Sequence, residues 1–128
     1  MLRLKCLLTI FCLTSLASST ASASPKPHPL VTPAQMTQTR WVDHCEEQGN
    51  WRYPVGSSWA KVVGEKYALA HSLYYGGLGW RPATWLSFRS PTMPALMSQA
   101  SPIQQAWALV QFAKVYGMPD LNGTCHGY

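Results

Sequence analysis

The sequence predicts one small, mostly helical domain, and three observations carry that prediction. The segment "SPIQQAWALVQFAKVYG", residues 101 to 117, has both a helix start and a helix stop. No stretch alternates polar and apolar side chains for long enough to predict a β-strand of ordinary length. The 128 residues allow a single domain with a modest core.

The helix at residues 101 to 117 is the clearest element of the sequence. Ser101 is a favourable N-cap, Pro102 fits the first turn, and Gln104 completes a capping box. Gly117 ends the segment as a natural breaker. Helical spacing predicts a buried stripe that consists of Ile103, Ala106, Trp107, Val110 and Ala113.

Other segments are also predicted to be helical. One runs through "AQMTQTRWVDHCEEQ", with Thr32 as cap, Pro33 in the first turn and Gly49 at the end. A short helix starts at Pro82 and turns three side chains inward: Trp85, Leu86 and Phe88. The apolar spacing within residues 52 to 75 predicts an extended helical insertion at about 55 to 72, with Gly64 as its weak point. Its expected inner face consists of Trp59, Val62, Val63, Ala70 and Leu73.

The amino-terminal residues predict export. A basic start "MLRLK", the apolar run "CLLTIFCLTSLA" and the small residues "ASA" are typical of a signal peptide over residues 1 to 23. The run is too short to span a bilayer comfortably, so we expect cleavage, no stable membrane insertion, and a secreted or cell-wall location. The proline-rich residues 24 to 33 predict an extended spacer before a domain at residues 34 to 128.

Cleavage would leave two cysteines, Cys45 and Cys125. Outside the cytoplasm such a pair predicts one disulfide, worth roughly 4 kcal/mol on the chain-entropy model. A cysteine nucleophile would need a free thiol and is therefore disfavoured. The four histidines lack the spacing of zinc ligands, and we predict neither a metal nor a cofactor.

The charge pattern indicates which kinds of partner the chain is suited to bind. Beyond residue 23 the chain has eight Lys and Arg against five Asp and Glu, and the basic residues form no run. Nucleic-acid binding, which needs a clustered basic patch, is disfavoured. A mild positive charge suits an anionic cell wall.

Two motifs carry candidate chemistry. "HCEEQGNW", residues 44 to 51, places Glu46 and Glu47 side by side in a chain that is poor in acids. "YYGGLGW", residues 74 to 80, combines aromatic rings with an open glycine backbone, which suits a sugar polymer, although for any one of these aromatics a place in the core is the more common outcome.

These motifs resemble those of the resuscitation-promoting factors of actinobacteria and their transglycosylase-like relatives. "CEEQGNW" is similar to their Cys-Glu-x-x-Gly-Asn-Trp motif, and "YYGGL" with "ATW" to their Tyr-Tyr-Gly-Gly-Leu and Thr-Trp segment. "ASPIQQAWALVQFAKVYG" resembles their closing helix, and "PDLNGTC" their C-terminal segment. This chain has Gly79 where the factors usually have Gln, and a longer interval before the glycine pair.

The resemblance implies an α+β, lysozyme-like domain that binds peptidoglycan glycan strands. Carried over by position, the catalytic acid is Glu46, while Glu47 falls at a variable position and is expected to be a solvated surface carboxylate. The implied substrate-binding residues are Asn50, Trp51, Tyr74, Tyr75, Gly77, Thr84 and Trp85.

The scarcity of acids bears on the mechanism. Glycoside hydrolysis normally uses two carboxyl groups, and Asp43, three residues before Glu46, is expected to face away or toward solvent. A lytic transglycosylase needs one, because the muramoyl C6 hydroxyl attacks in place of water. A one-carboxylate, muramidase-type hydrolase remains open, as does a non-catalytic module that binds wall glycan or another cell-wall hydrolase.

Overall fold

The architecture is built almost entirely from helices. The computed structural model describes residues 31–119 and Cys125. The five α-helices in this part are α1 (Pro33–Glu47), α2 (Ser58–Val63), α3 (Glu65–His71), α4 (Pro82–Phe88) and α5 (Pro102–Tyr116), with a 3₁₀ turn at Met97–Gln99. The β structure in the described residues is a single antiparallel bridge between Tyr75 and Trp80. The predicted mostly helical class is confirmed, and none of these helices is long and apolar enough to cross a membrane.

Local capping chemistry sets where the long helices begin. The Thr32 hydroxyl accepts from the Gln35 N–H at 3.2 Å, and the Gln35 side chain accepts from the Thr32 N–H at 2.9 Å. Ser101 and Gln104 form the same capping box at the start of α5. At its other end, α1 closes on Gln48, whose φ of 55° is left-handed. The predicted bounds of both helices are therefore confirmed to within a residue or two.

The core lies where α5 packs against α1 and α4. Its largest fully buried side chains include Trp85, Leu78, Met97, Leu109 and Val42. A disulfide joins Cys45, near the end of α1, to Cys125, as the sequence predicts. One small domain with one disulfide is thus confirmed for the described residues.

The predicted inward faces of α5 and α4 are wrong in part. On α5 the fully buried residues include Gln105 and Leu109, whereas Ile103 is 55% exposed. The helix is rotated because the amide of Gln105 binds backbone groups in the interior. On α4, Trp85 occupies the inward position, and Leu86, about 100° further round the helix, is exposed.

The insertion at residues 55 to 72 is helical, as predicted, but it forms two short helices. Gly64 separates α2 from α3 with a φ of 90°, a backbone conformation that favours glycine. The break resets the helical register, so the buried residues are Ala60 and Ala68. Val62, 84% exposed, and Leu73, 65% exposed, lie on the outside instead of on the predicted inner face.

Candidate active site

An open cavity of about 500 Å³ lies between the end of α1, the loop that follows α3, and helices α4 and α5. Its lining consists of Glu46, Glu47, Tyr74, Leu78, Gly79, Trp80, Arg81, Thr84 and Phe112. The two motifs that the sequence singled out, separated by more than twenty residues, therefore meet in one place.

The two glutamates lie on the last turn of α1 and face Gly79 across the cavity wall. A methyl group at the α-carbon of Gly79 would lie 3.1 Å from Oε1 of Glu47 and 3.3 Å from Oε2 of Glu46. These two carboxylate oxygens therefore lie near a single point, and the distance between them cannot exceed the sum of these two distances. Glycine at position 79, where the resembled family usually has glutamine, leaves the space that the two carboxyl groups occupy.

Glu47 is not the solvated surface carboxylate that the sequence predicts. It is half-buried, and desolvation, followed by the negative charges of Glu46 and Asp43, raises its pKa from 4.5 to about 8. The reason is local: α1 ends at Glu47, and the chain turns back at once, with the Asn50 N–H donating to the Glu47 carbonyl at 3.0 Å. Burial and the charge of Glu47 also raise the pKa of Tyr53, in the loop beyond this turn.

Asp43 is buried and is not part of the cavity lining, so of the two expected orientations the one toward solvent is wrong. Its side chain is 3% exposed, and Oδ1 has no hydrogen-bond partner. Burial raises its pKa from 3.8 to about 6, an effect that the positive charge of His44 partly offsets. Asp43 precedes Glu47 by one helical turn, so the two carboxyl groups lie on the same face of α1.

Gln105 fixes the loop that carries the glycines, and sequence reasoning missed this role. Its Oε1 accepts from the Gly77 N–H at 2.8 Å, while Nε2 donates to the Trp51 carbonyl at 2.9 Å. The Gly76 N–H donates to the Tyr53 carbonyl at 2.8 Å. The only signal in the sequence was an amide side chain one turn before the apolar Leu109.

The structure places two of the seven expected substrate-binding residues in the cavity wall, Tyr74 and Thr84. The cavity lining does not include the other five: Asn50, Trp51, Tyr75, Gly77 and Trp85. Tyr75 and Trp85 are buried, and their polar atoms donate to backbone carbonyls of other segments at 2.7 Å and 2.9 Å. Both residues belong to the hydrophobic core.

The Asn50 side chain ties its own turn together. Its amide donates to the Val55 carbonyl at 3.0 Å, and its oxygen accepts from the Arg52 N–H at 3.1 Å. No residue of the helical insertion, 55 to 72, lines the cavity. The insertion therefore lies beside the candidate site without forming part of its wall.

Several lining residues were not predicted. The Arg81 guanidinium lies 5.8 Å from the centre of the Tyr74 ring, a distance typical of a cation–π contact. A shallower hollow of about 310 Å³ is lined by Thr84, Ser87, Phe88, Phe112 and Tyr116. Because Thr84 and Phe112 line both spaces, the cavity continues as a groove along α4 and α5.

No protein-family model, curated protein or solved structure matches this chain. Among residues 31–119 and Cys125, no group of three or more His, Cys, Asp or Glu side chains is placed to hold a metal ion. The cavity lining offers two carboxyl groups, aromatic rings and an arginine for chemistry.

Proposed function

We propose that this chain is an exported enzyme that cleaves the β-1,4 bond between N-acetylmuramic acid and N-acetylglucosamine in peptidoglycan, with Glu46 as its acid and base. The observation that carries the proposal is the position of Glu46 in an open cavity beside the aromatic side chains of Tyr74, Trp80 and Phe112. Ligand sites combine such flat apolar walls with a few placed polar groups. The motif resemblance supports the same substrate and a lysozyme-like relationship of the fold.

Two features support export to the cell wall. The disulfide between Cys45 and Cys125 suits an oxidising compartment, since such bonds are rare in the cytoplasm. The net positive charge of the chain suits a wall that is rich in carboxylates and phosphates. The signal peptide expected at residues 1 to 23 and most of the spacer lie outside the described residues.

The proposed reaction is that of a lytic transglycosylase. Glu46 donates its proton to the glycosidic oxygen as the bond from that oxygen to C1 of the muramoyl sugar breaks. The C6 hydroxyl of the same sugar then attacks C1 and returns its proton to the Glu46 carboxylate. The product is a 1,6-anhydromuramoyl end, and the glutamate is regenerated without the consumption of water.

Mass spectrometry of purified peptidoglycan digested with the exported chain tests this proposal. We expect anhydromuramoyl ends from the wild type, none from Glu46→Gln, and wild-type behaviour from Glu65→Gln, which changes an exposed glutamate of α3. Sedimentation with insoluble peptidoglycan should show that Glu46→Gln still binds. Reducing ends would instead indicate a hydrolase. Binding without products from the wild type would indicate a non-catalytic module and refute the enzyme.

A further inference from the structure

We infer that Glu47 is a positioning residue that acts through Glu46: the two carboxyl groups form a pair that shares one acidic proton, and this sharing keeps Glu46 able to act as an acid at neutral pH. The inference rests on the proposed function for its catalytic consequence. The pairing itself is a property of the free protein and can be tested without substrate.

Geometry carries the pairing. Glu46 and Glu47 are consecutive, both line the same cavity, and an oxygen of each lies within 3.3 Å of the space beside Gly79. Two carboxylates this close repel each other, and ionising both costs more than ionising either one alone. Their protons therefore leave in two steps that belong to the pair and not to either residue.

Most groups around the pair are negative or neutral, and they favour retention of the proton that leaves in the second step. From α1, Asp43 lies one turn before Glu47 and adds negative charge when it ionises. From the following loop, Tyr53 is neutral at physiological pH and interacts electrostatically with Glu47. Arg81, before α4, is the one cation in the cavity lining, and its guanidinium lies over the Tyr74 ring.

The other lining groups carry no charge. Leu78 in the loop and Phe112 of α5 are apolar and limit access of water to the carboxyl groups. His44 is a neighbour of Asp43, and its charge acts on that residue. The raised pKa of Glu47, about 8, agrees with a pair that holds a proton through the neutral range.

The pairing gives Glu47 a specific part in the reaction. When the shared proton lies on Glu46 and passes to the glycosidic oxygen, both carboxyl groups of the pair are ionised. Their mutual repulsion makes the Glu46 carboxylate a stronger base, which favours its taking the proton of the C6 hydroxyl as that group attacks C1. Glu47 neither gains nor loses a proton over the whole cycle.

The pH dependence of kcat/KM tests this role. Without its partner, Glu46 titrates as a single carboxyl group, so we expect the alkaline limb of the profile to move down by at least one pH unit in Glu47→Gln. The kcat/KM of Glu47→Gln should be within about threefold of the wild-type value at pH 5 and at least tenfold below the wild-type value at pH 7.5. Glu47→Asp, which keeps a carboxyl group, should show a smaller shift, and Glu65→Gln none. An unmoved limb, or the same loss at every pH, would overturn the inference.

Carboxyl ¹³C NMR titration of the free protein separates this inference from the proposed function. In Glu46→Gln, the titration midpoint of Glu47 should fall by at least one pH unit, while Glu65→Gln should leave it unchanged. If the two glutamates titrate as a coupled pair but the wild-type protein cleaves no peptidoglycan, the pairing is supported and the proposed enzymatic function is refuted. Independent one-step titration of the two glutamates would overturn the pair whatever the activity.

Discussion

Replacement of Gln105 tests how the cavity is held in place. The side chain is fully buried, and its Oε1 accepts from the Gly77 N–H at 2.8 Å. Its Nε2 lies 2.9, 3.1 and 3.0 Å from the carbonyl oxygens of Trp51, Met97 and Ala100, which share its two hydrogens. Methionine has a similar length and volume, so Gln105→Met removes these hydrogen bonds without opening a large cavity.

The expected cost follows from the groups that lose their partner. The Met97 carbonyl keeps a hydrogen bond from the Ala100 N–H at 2.9 Å. The Gly77 N–H and the carbonyls of Trp51 and Ala100 lose theirs, and a buried unsatisfied group costs about 1–3 kcal/mol. With some relaxation, Gln105→Met should lower the free energy of unfolding by about 3–5 kcal/mol, a large share of the 5–15 kcal/mol typical of such domains.

Urea unfolding of the oxidised protein, followed by tryptophan fluorescence, measures this loss. The matched control is Gln111→Met on the same helix, where the half-buried amide donates to one carbonyl at 3.4 Å and accepts from the exposed Lys114 ammonium at 2.8 Å. We expect the control to change stability by less than about 1 kcal/mol. Equal effects of the two substitutions would refute the view that Gln105 anchors the glycine loop.

Two further predictions concern the carboxyl groups. Gly79→Ala and Gly56→Ala both place a side chain at positive φ, 58° and 77°, so each should cost about 1–3 kcal/mol of stability. Only the first points a methyl group at the paired glutamates, and it alone should reduce cleavage at least tenfold in the digestion assay; equal activity of the two variants would contradict this. Asp43 binds its proton more tightly when folded, because burial raises its pKa from the ordinary value of 3.8 to about 6. The stability that it contributes is therefore present below about pH 4 and is lost as the pH rises through 6, and in Asp43→Asn this part of the pH dependence of the urea midpoint should disappear.

Local signals predicted the parts of the fold that local chemistry determines. Thr32 and Ser101 start α1 and α5 because an N-cap acts on N–H groups within its own first turn. Gly64 breaks the insertion, as expected of a residue that weakens helices. The disulfide could be predicted because only two cysteines remain beyond residue 23.

The rotation of α5 could not be predicted in this way. The partners of Gln105 come from residues 51, 77, 97 and 100, and helical periodicity contains no information about such distant segments. A hydrophobicity pattern treats glutamine as an outward residue, whereas four backbone partners make it an inward one.

Glu47 illustrates a different limit. Consecutive residues of a helix point about 100° apart, which predicts that only one of the two glutamates faces a cleft beside the helix. The cavity lies at the end of α1, where both last-turn side chains reach it. The angle between consecutive residues separates side chains along the side of a helix, but at the end of α1 both side chains reach one cavity.

The presence of Glu47 in the cavity also bears on whether the C6 hydroxyl or water attacks C1. A scarcity of acids favoured transglycosylation because no second carboxyl group was expected near Glu46, yet one lies beside it. In a pair that shares one proton, Glu47 is ionised while the proton lies on Glu46, and it can then act as a base toward water. Above about pH 8 the pair loses this proton, and Glu46 can no longer act as an acid. The ratio of reducing ends to anhydromuramoyl ends at pH 6 should therefore be lower in Glu47→Gln, which lacks this base, than in the wild type. An equal ratio in the two proteins would show that Glu47 has no part in the choice of nucleophile.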